Sequence, residues 1–190
     1  MGGHIPEKLA LSLRDRHGIT TAIETGTYKA QTTRFLAENF ANVYSIEMDE
    51  GWFNRARQVL NDLFNVTLLC GDSRQVLAQL LPTIKSPALL WLDAHWCGGA
   101  REDQLPEDEC PLREELDAIR ADGRSHYILI DDARLFVGRP EYPHNPELWP
   151  TWDEVQALLP ADNYTIVHND VIVSVPMIAA NAVKAWVENG

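Results

Sequence analysis

The sequence predicts an α/β fold: a three-layer αβα sandwich around a mostly parallel, seven-stranded sheet that closes with a C-terminal antiparallel β-hairpin. Three observations predict it. Short β-favouring runs alternate with helical patterns along the chain, giving five βα units. The fourth and fifth runs, residues 88–92 and 127–130, are apolar throughout, as suits central parallel strands covered on both faces. The last two runs are separated only by His168-Asn169-Asp170, too short for a parallel crossover, so they must pair antiparallel.

Each element follows from its residues. Thr21-Ala22-Ile23-Glu24 reads as a strand that runs into the turn Thr25-Gly26-Thr27, and residues 28–40 carry Thr32, Phe35, Leu36 and Ala37 at helical spacing. Residues 43–47 form the second strand, with Asp49 as N-cap of a helix through Trp52, Ala56, Val59 and Leu60. Residues 66–70 form the third. Asp72, with Gln75 three residues on, has the pattern of a capping box opening a helix to Leu81, which Pro82 helps to end. After the fourth strand a polar stretch from Cys97 to Cys110 leads to a helix over 111–121 with Leu112, Leu116 and Ile119 on one side. The fifth strand ends in Asp131 and Asp132. A segment rich in Pro and aromatics then runs to Pro150, longer than usual connections and suited to a substrate lid. Thr151 with Glu154 makes a capping box for a helix that Pro160 closes; strands 164–167 and 171–175 form the hairpin, and 179–188 a terminal helix.

Length and charge narrow the function classes. A chain of 190 residues with 45% apolar residues suits a single domain, 1–190, with a real core. No apolar run approaches the roughly 20 residues of a membrane helix, and the start lacks the basic-then-apolar pattern of a signal peptide, so a soluble, cytoplasmic protein without a membrane partner is expected. A net charge of −12 repels phosphodiester backbones and no basic stripe stands out, which argues against nucleic acid. Cys70, Cys97 and Cys110 are an odd count without a CxxC pair, so reduced thiols are expected rather than a disulfide framework or zinc ribbon.

Ligands in such sheets bind at the carboxyl ends of the strands, where Glu24, Glu47, Asp72, Asp93, Asp131 and Asp132 all fall. The first turn, Gly26-Thr27-Tyr28-Lys29-Ala30-Gln31, keeps one glycine of the Gly-x-Gly-x-x-Gly a dinucleotide needs. One glycine still lets an adenosine-bearing ligand pass close. Glu47 is placed to accept two hydrogen bonds from ribose hydroxyls, or is simply a solvated strand-end acid. Asp72 serves as a helix cap, an adenine contact, or both.

These segments resemble the class I S-adenosylmethionine-dependent methyltransferases over nearly the whole chain. Glu24-Thr25-Gly26-Thr27-Tyr28 is similar to the family's first motif, Ser45-Ile46-Glu47 to its ribose-binding motif and Gly71-Asp72-Ser73 to its adenine-binding turn. Leu92-Asp93-Ala94-His95-Trp96 and Ile130-Asp131-Asp132 resemble the metal-ligand segments of the catechol and macrocin types of O-methyltransferase. The resemblance implies a Rossmann-like methyltransferase fold. It implies S-adenosylmethionine held by Glu24, Gly26, Thr27, Tyr28, Glu47, Met48, Asp72, Ser73 and Asp93, and one Mg²⁺ or other divalent cation on Asp93, Asp131 and Asp132. Departures are visible. Ala30 replaces a second glycine, no lysine lies between Asp93 and Arg101, and His95 stands where the macrocin type has a second aspartate.

Three carboxylates converging at adjacent strand ends repel unless a cation neutralises them, and all-oxygen ligands suit Mg²⁺ or Ca²⁺. Asp93 and His95 are the catalytic candidates. His95, with an ordinary pKa of about 6.5, suits a general base, or is a hydrogen-bonded structural group. Trp96, Trp149 and Trp152 line an acceptor pocket or belong to the core, and Arg134, Arg139 and His144 face an acidic or sugar acceptor or solvent. The expected function is O-methylation of a small hydroxylated acceptor, a sugar or phenol. The alternatives are an adenosyl-binding module without turnover and a nucleotide-sugar or NAD enzyme on the same fold. A homodimer stays open.

Overall fold

The computed structural model describes residues 4–96 and 108–189. Among the described residues seven strands form one sheet: β1 (Thr21–Thr25), β2 (Asn42–Glu47), β3 (Val66–Cys70), β4 (Leu89–Leu92), β5 (Tyr127–Ile130), β6 (Asn163–His168) and β7 (Val171–Pro176). Their order is β3-β2-β1-β4-β5-β7-β6, with the first five parallel and β7 antiparallel to both neighbours. The chain winds outward from β1 to β3 and then returns to place β4 on the other side of β1. That reversal opens a crevice at the carboxyl ends of β1 and β4.

Side chains alternate across the sheet, so each strand feeds two cores. Leu90 and Leu92 join Ile23, Ile128 and Ile130 on one face, covered by α4 (Ser73–Leu80), α5 (Leu112–Asp122) and α7 (Trp152–Leu158). Leu89 and Trp91 join Ala22, Leu129 and Val173 on the other, covered by α1 (Glu7–His17), α2 (Gln31–Asn39) and α8 (Ala180–Asn189). The last layered helix, α3 (Glu50–Val59), packs on β2 and β3. No helix among the described residues is long and apolar enough to cross a membrane.

The expected three-layer fold is thus present, with local differences. Helix α1 is additional to the predicted alternation: Leu9, Ala10 and Leu13 bury one side, and Gly18 ends it in a left-handed C-cap. The helix read from residue 28 starts at Gln31, because Tyr28 and Ala30 both adopt left-handed backbone, φ 45° and 60°. Asp49 caps α3 through the Trp52 N–H, and Thr151 and Glu154 form the expected reciprocal box. Asp72 caps α4 by accepting from the Arg74 N–H, without the Gln75 reciprocation. The long segment after β5 is part helical: α6 (Arg134–Val137) follows the strand at once, and a 3₁₀ turn spans Pro146–Leu148. Asn169 and Asp170, both left-handed, make the two-residue turn of the hairpin, as a type I′ geometry requires.

Candidate active site

Register aligns the ends of three strands. Thr25 pairs with Leu92 and Leu92 with Ile130, so Gly26, Asp93 and Asp131 emerge beside one another. Gly26 has φ +87°, and a Cβ there would lie 2.8 Å from the carbonyl carbon of Asp93 and closer still to its oxygen. Only glycine permits that approach of β1 to β4. Two adjoining cavities, of about 220 and 580 Å³, share Gly26, Glu47, Ala94 and Trp96 in their walls. The smaller is bordered by Met48, Asp72 and Ser73, the larger by Glu24, Tyr28, Asp93, His95 and Asp132. Of the residues singled out from sequence, these stand together on one continuous cleft.

Glu47 is buried at the end of β2. Its Oε2 accepts the N–H of Tyr28 at 2.8 Å and its Oε1 that of Asp49 at 2.9 Å, so it shapes the turn after β1 while one side of the carboxylate lines both cavities. Glu24 lies deeper. Thr33 donates to its Oε2 at 2.5 Å, Ser45 donates to the same oxygen, and Thr27 lies 2.6 Å from Ser45. Burial pushes Glu24 up to about 7, against those hydrogen bonds, with the charge of Glu47 adding to the rise. Met48 is largely exposed at the rim, and Asp72 combines its capping role with a place in the smaller cavity.

His95 is buried, its Nε2 2.9 Å from Oδ2 of Asp132. Arg134 donates to the other oxygen of Asp132 at 2.6 Å and pairs with Asp170 of the hairpin turn. Burial alone raises Asp132, but the hydrogen bonds and charges of His95 and Arg134 more than offset it and hold it below the ordinary carboxylate range. Burial likewise draws His95 down, while its bond to Asp132 and the charges of Asp93, Asp132 and Asp131 leave it above 6.5. Asp93 is pushed to about 8 by burial; His95 opposes this, and Asp131, Asp132 and Glu24 reinforce it. Burial and the Asp132 charge take Asp131 to about 6.

The three acids expected to share a cation therefore adjoin without forming a ligand set. Both oxygens of Asp132 are engaged, Oδ2 by the His95 ring and Oδ1 by the Arg134 guanidinium, Oδ1 of Asp131 accepts the Asp132 N–H, and only Oδ2 of Asp131 is buried without a partner. Among the described residues no group of three His, Cys, Asp or Glu side chains is placed to hold a metal ion. Arg134 and proton uptake relieve the repulsion that the sequence assigned to a divalent cation, so these residues do not fit the expected magnesium site. Cys70 and Cys110 are free thiols, and burial pushes Cys110 up to about 12; Cys97 and Arg101 lie outside the described residues.

Several contributors escape a strand-end reading. Thr33 and Ser45 gain their role only when α2 and β2 meet over Glu24. Glu109 is buried and accepts from the Trp149 indole at 2.6 Å, the Asn145 N–H at 2.9 Å and His144 at 3.2 Å, tying the segment after α6 to the cleft. Trp149, whose ring meets His95 at 5.3 Å, is therefore a wall of the histidine rather than a free lid residue. Trp96 lines the cleft, and Trp152 packs against the core beneath. Arg139 pairs with exposed Glu147. Glu115 was legible in principle: it stands within the apolar stripe of α5, is buried, and has an unpartnered Oε1.

The strand order, the closing antiparallel hairpin and the cleft at the β1/β4 switch define the class I methyltransferase fold. Solved structures bear this out. An O-methyltransferase, TomG from Streptomyces achromogenes in complex with S-adenosylmethionine, superposes with TM-score 0.61 at 16% identity, over 92% of this chain and 81% of that one. An O-methyltransferase from Bacillus cereus in complex with S-adenosylhomocysteine gives 0.60 at 15%, over 91% and 82%. The S-adenosylhomocysteine-bound methyltransferase PaMTH1 of Podospora anserina gives 0.56 at 18%, over 88% and 75%. No family model and no curated protein matches the sequence.

Proposed function

We propose that this chain is an S-adenosylmethionine-dependent methyltransferase that methylates a hydroxyl oxygen of a small acceptor. The observation that carries the reading is one cleft with Gly26 at the β1/β4 switch, Glu47 at the end of β2, and the His95–Asp132 pair at its far end. A cleft whose backbone is opened by a left-handed glycine, and whose wall carries a carboxylate with unused lone pairs, suits the methionine and ribose parts of the cofactor. Glu24, Thr27, Tyr28, Met48, Asp72, Ser73 and Asp93 complete the proposed cofactor wall, with Asp93 also at the reacting end.

The cofactor supplies an electrophilic methyl group on a sulfonium, and its transfer to oxygen leaves a neutral thioether. The chain's part is alignment and proton removal. With Asp132 ionised, Nε2 of His95 carries the hydrogen toward Oδ2, leaving the Nδ1 lone pair to take the acceptor's proton. The positive charge lost from sulfur then resides on the imidazolium, beside the carboxylate of Asp132. No step runs through a metal ion, because the two oxygens of Asp132 are already engaged, Oδ2 by the His95 ring and Oδ1 by the Arg134 guanidinium.

Calorimetry with S-adenosylmethionine, S-adenosylhomocysteine and NAD, followed by a labelled-methyl turnover screen over small hydroxylated acceptors, tests the reading. Binding of the two adenosyl ligands and labelled product support it. NAD binding in their place would assign a dinucleotide enzyme, and adenosyl binding without turnover a binding module.

A further inference from the structure

The imidazole of His95 is held at Cγ by its own chain and at Nε2 by Asp132, 2.9 Å away. Rotation about the line through those two atoms would swing Nδ1 without breaking either link. Two aromatic rings stop it. Trp149 lies 5.3 Å from the imidazole, inclined at 65°, and Phe136 lies 6.0 Å away at 89°, the two rings meeting one another at 5.4 Å. Both are buried, so the histidine stands against a close-packed wall.

Glu109 holds that wall. Its carboxylate is buried and, among the described residues, meets no lysine or arginine; N–H donors satisfy it instead. The Trp149 indole donates to Oε2 at 2.6 Å, His144 donates its Nδ1 hydrogen to the same oxygen at 3.2 Å, and the Asn145 N–H donates to Oε1 at 2.9 Å. The carbonyl of Glu109 accepts the Trp96 N–H at 2.8 Å, and that N–H belongs to the peptide bond of His95 itself. His144 fills the space between, 5.2 Å from the Trp96 ring and 5.1 Å from that of Trp149. Arg113 donates to the Trp149 carbonyl at 3.0 Å, so Trp149 is fixed at backbone and indole alike. Anchoring of the segment after α6 accounts for the bonds to Asn145 and His144 alone. The other two converge on His95, one through its peptide and one through the ring against its imidazole.

Resting on the methyltransferase reading for the task of Nδ1, we propose that Glu109 is a positioning residue for His95: by tying the Trp149 indole to the His95–Trp96 peptide, it fixes the direction in which Nδ1 meets an acceptor's proton. It touches no reacting atom. A displacement of the reacting group by about 1 Å can cost on the order of 10²-fold in rate, so this buried carboxylate supplies part of the alignment that transfer requires.

The test needs no acceptor. In the full chain labelled with ¹⁵N-histidine, nuclear magnetic resonance follows exchange with water of the His95 Nε2 hydrogen, with and without S-adenosylhomocysteine. Trp149→Phe keeps a ring but removes the indole donor, and Glu109→Leu removes the acceptor; each should speed that exchange by about tenfold or more, because a loosened wall lets the imidazole turn out of its bond to Asp132. Glu109→Gln should stay near wild type, since its amide oxygen can still take the indole hydrogen. The double variant Glu109→Leu/Trp149→Phe should exchange no faster than the faster single one, as two ends of one link. Trp149→Phe should leave S-adenosylhomocysteine affinity unchanged. Unaltered exchange in Trp149→Phe would overturn the proposal even if Glu109→Leu fails to fold, and a lowered melting temperature alone would reduce Glu109 to a loop anchor. Glu109→Gln exchanging as fast as Glu109→Leu, effects that add in the double variant, or a parallel loss of S-adenosylhomocysteine affinity in Trp149→Phe would overturn it too. Failure of wild type to bind S-adenosylhomocysteine is a separate result: it overturns the methyltransferase reading and leaves the exchange measurement on the free chain intact.

Discussion

The carboxylate of Asp132 holds the imidazole of His95 at 2.9 Å, with both side chains buried. The contact is the inner end of a chain that continues through Arg134 to Asp170, in the turn of the antiparallel hairpin. Asp170 also accepts the N–H groups of Ala133 and Arg134, through its carbonyl and its carboxylate. The closing hairpin, whose fold role is to cover the edge of β5, thereby supports the orientation of the histidine. A neutral acceptor's proton delivered to His95 would create an imidazolium next to a carboxylate already held ionised.

Replacing His95 with Ala should lower turnover by about 10²- to 10⁴-fold while S-adenosylhomocysteine affinity stays nearly constant, since loss of a general base acts on the transition state. The sign of the pH profile follows from the raised pKa: the base is competent only when deprotonated, so the acid limb should fall above 6.5. Asp132→Asn should move that limb downward. Normal turnover with an unchanged limb in His95→Ala would place deprotonation elsewhere.

Glu47 offers a comparison of two substitutions. Glu47→Ala removes a charged acceptor and should weaken S-adenosylmethionine binding by roughly 1.5 to 3 kcal/mol. Glu47→Gln should be nearly as damaging, because its NH₂ would face either the Tyr28 or the Asp49 N–H, donor against donor. Calorimetry on both variants decides it, and an unchanged dissociation constant would remove Glu47 from the site.

Divalent cations should be dispensable. The ion pair of Arg134 with Asp132 occupies the carboxylate a metal would need, so turnover should persist in excess chelator. Activity lost on chelation and restored by Mg²⁺ would show that Arg134 yields Asp132 to a metal after all.

What the sequence made legible, and what it hid, has a common cause. Strands such as Leu89-Leu90-Trp91-Leu92 announce themselves because burial on both faces demands continuous apolar residues. Strand ends follow from the strands, so Gly26, Glu47, Asp93 and Asp131 could be placed at one rim without coordinates. The hidden part is pairing. Nothing local to Asp132 indicates that its two oxygens meet His95 and Arg134 rather than a cation shared with Asp93 and Asp131. The left-handed backbone of Ala30 was equally concealed, because alanine there reads as helix.

Stability should fall as pH rises through the acid cluster. Glu24 has a folded pKa of about 7 against an ordinary 4.5, so the fold favours its protonated form. That contribution is complete below about 4.5 and is lost as pH climbs to 7. Asp131 and Asp93, raised to about 6 and 8, act with the same sign. Melting temperature measured from pH 4.5 to 8 should therefore decline, and Glu24→Gln should flatten the part below 7. A profile that the substitution leaves unchanged would mean that Glu24 is ionised in the fold.

The same cluster should distinguish the two adenosyl ligands. S-adenosylmethionine and S-adenosylhomocysteine share their amino, carboxylate and ribose groups and differ by one methyl and one positive charge at sulfur. If that sulfur lies over Asp93 and Glu24, the cation is favoured only when these acids are ionised, which in the free protein happens near pH 7 to 8. Between pH 6 and 9 the affinity ratio should shift toward S-adenosylmethionine, by at most about tenfold per pH unit for each linked proton. Binding of the sulfonium near pH 7 should release protons, and the thioether should release fewer. Calorimetry in buffers of different ionisation enthalpy reads the proton count directly. The floor acids then contribute in two ways, drawing in the charged donor and losing that attraction once the methyl group has moved, which favours product release. A ratio independent of pH would place the sulfonium away from Asp93, and the acids would then serve only the chain's own cations.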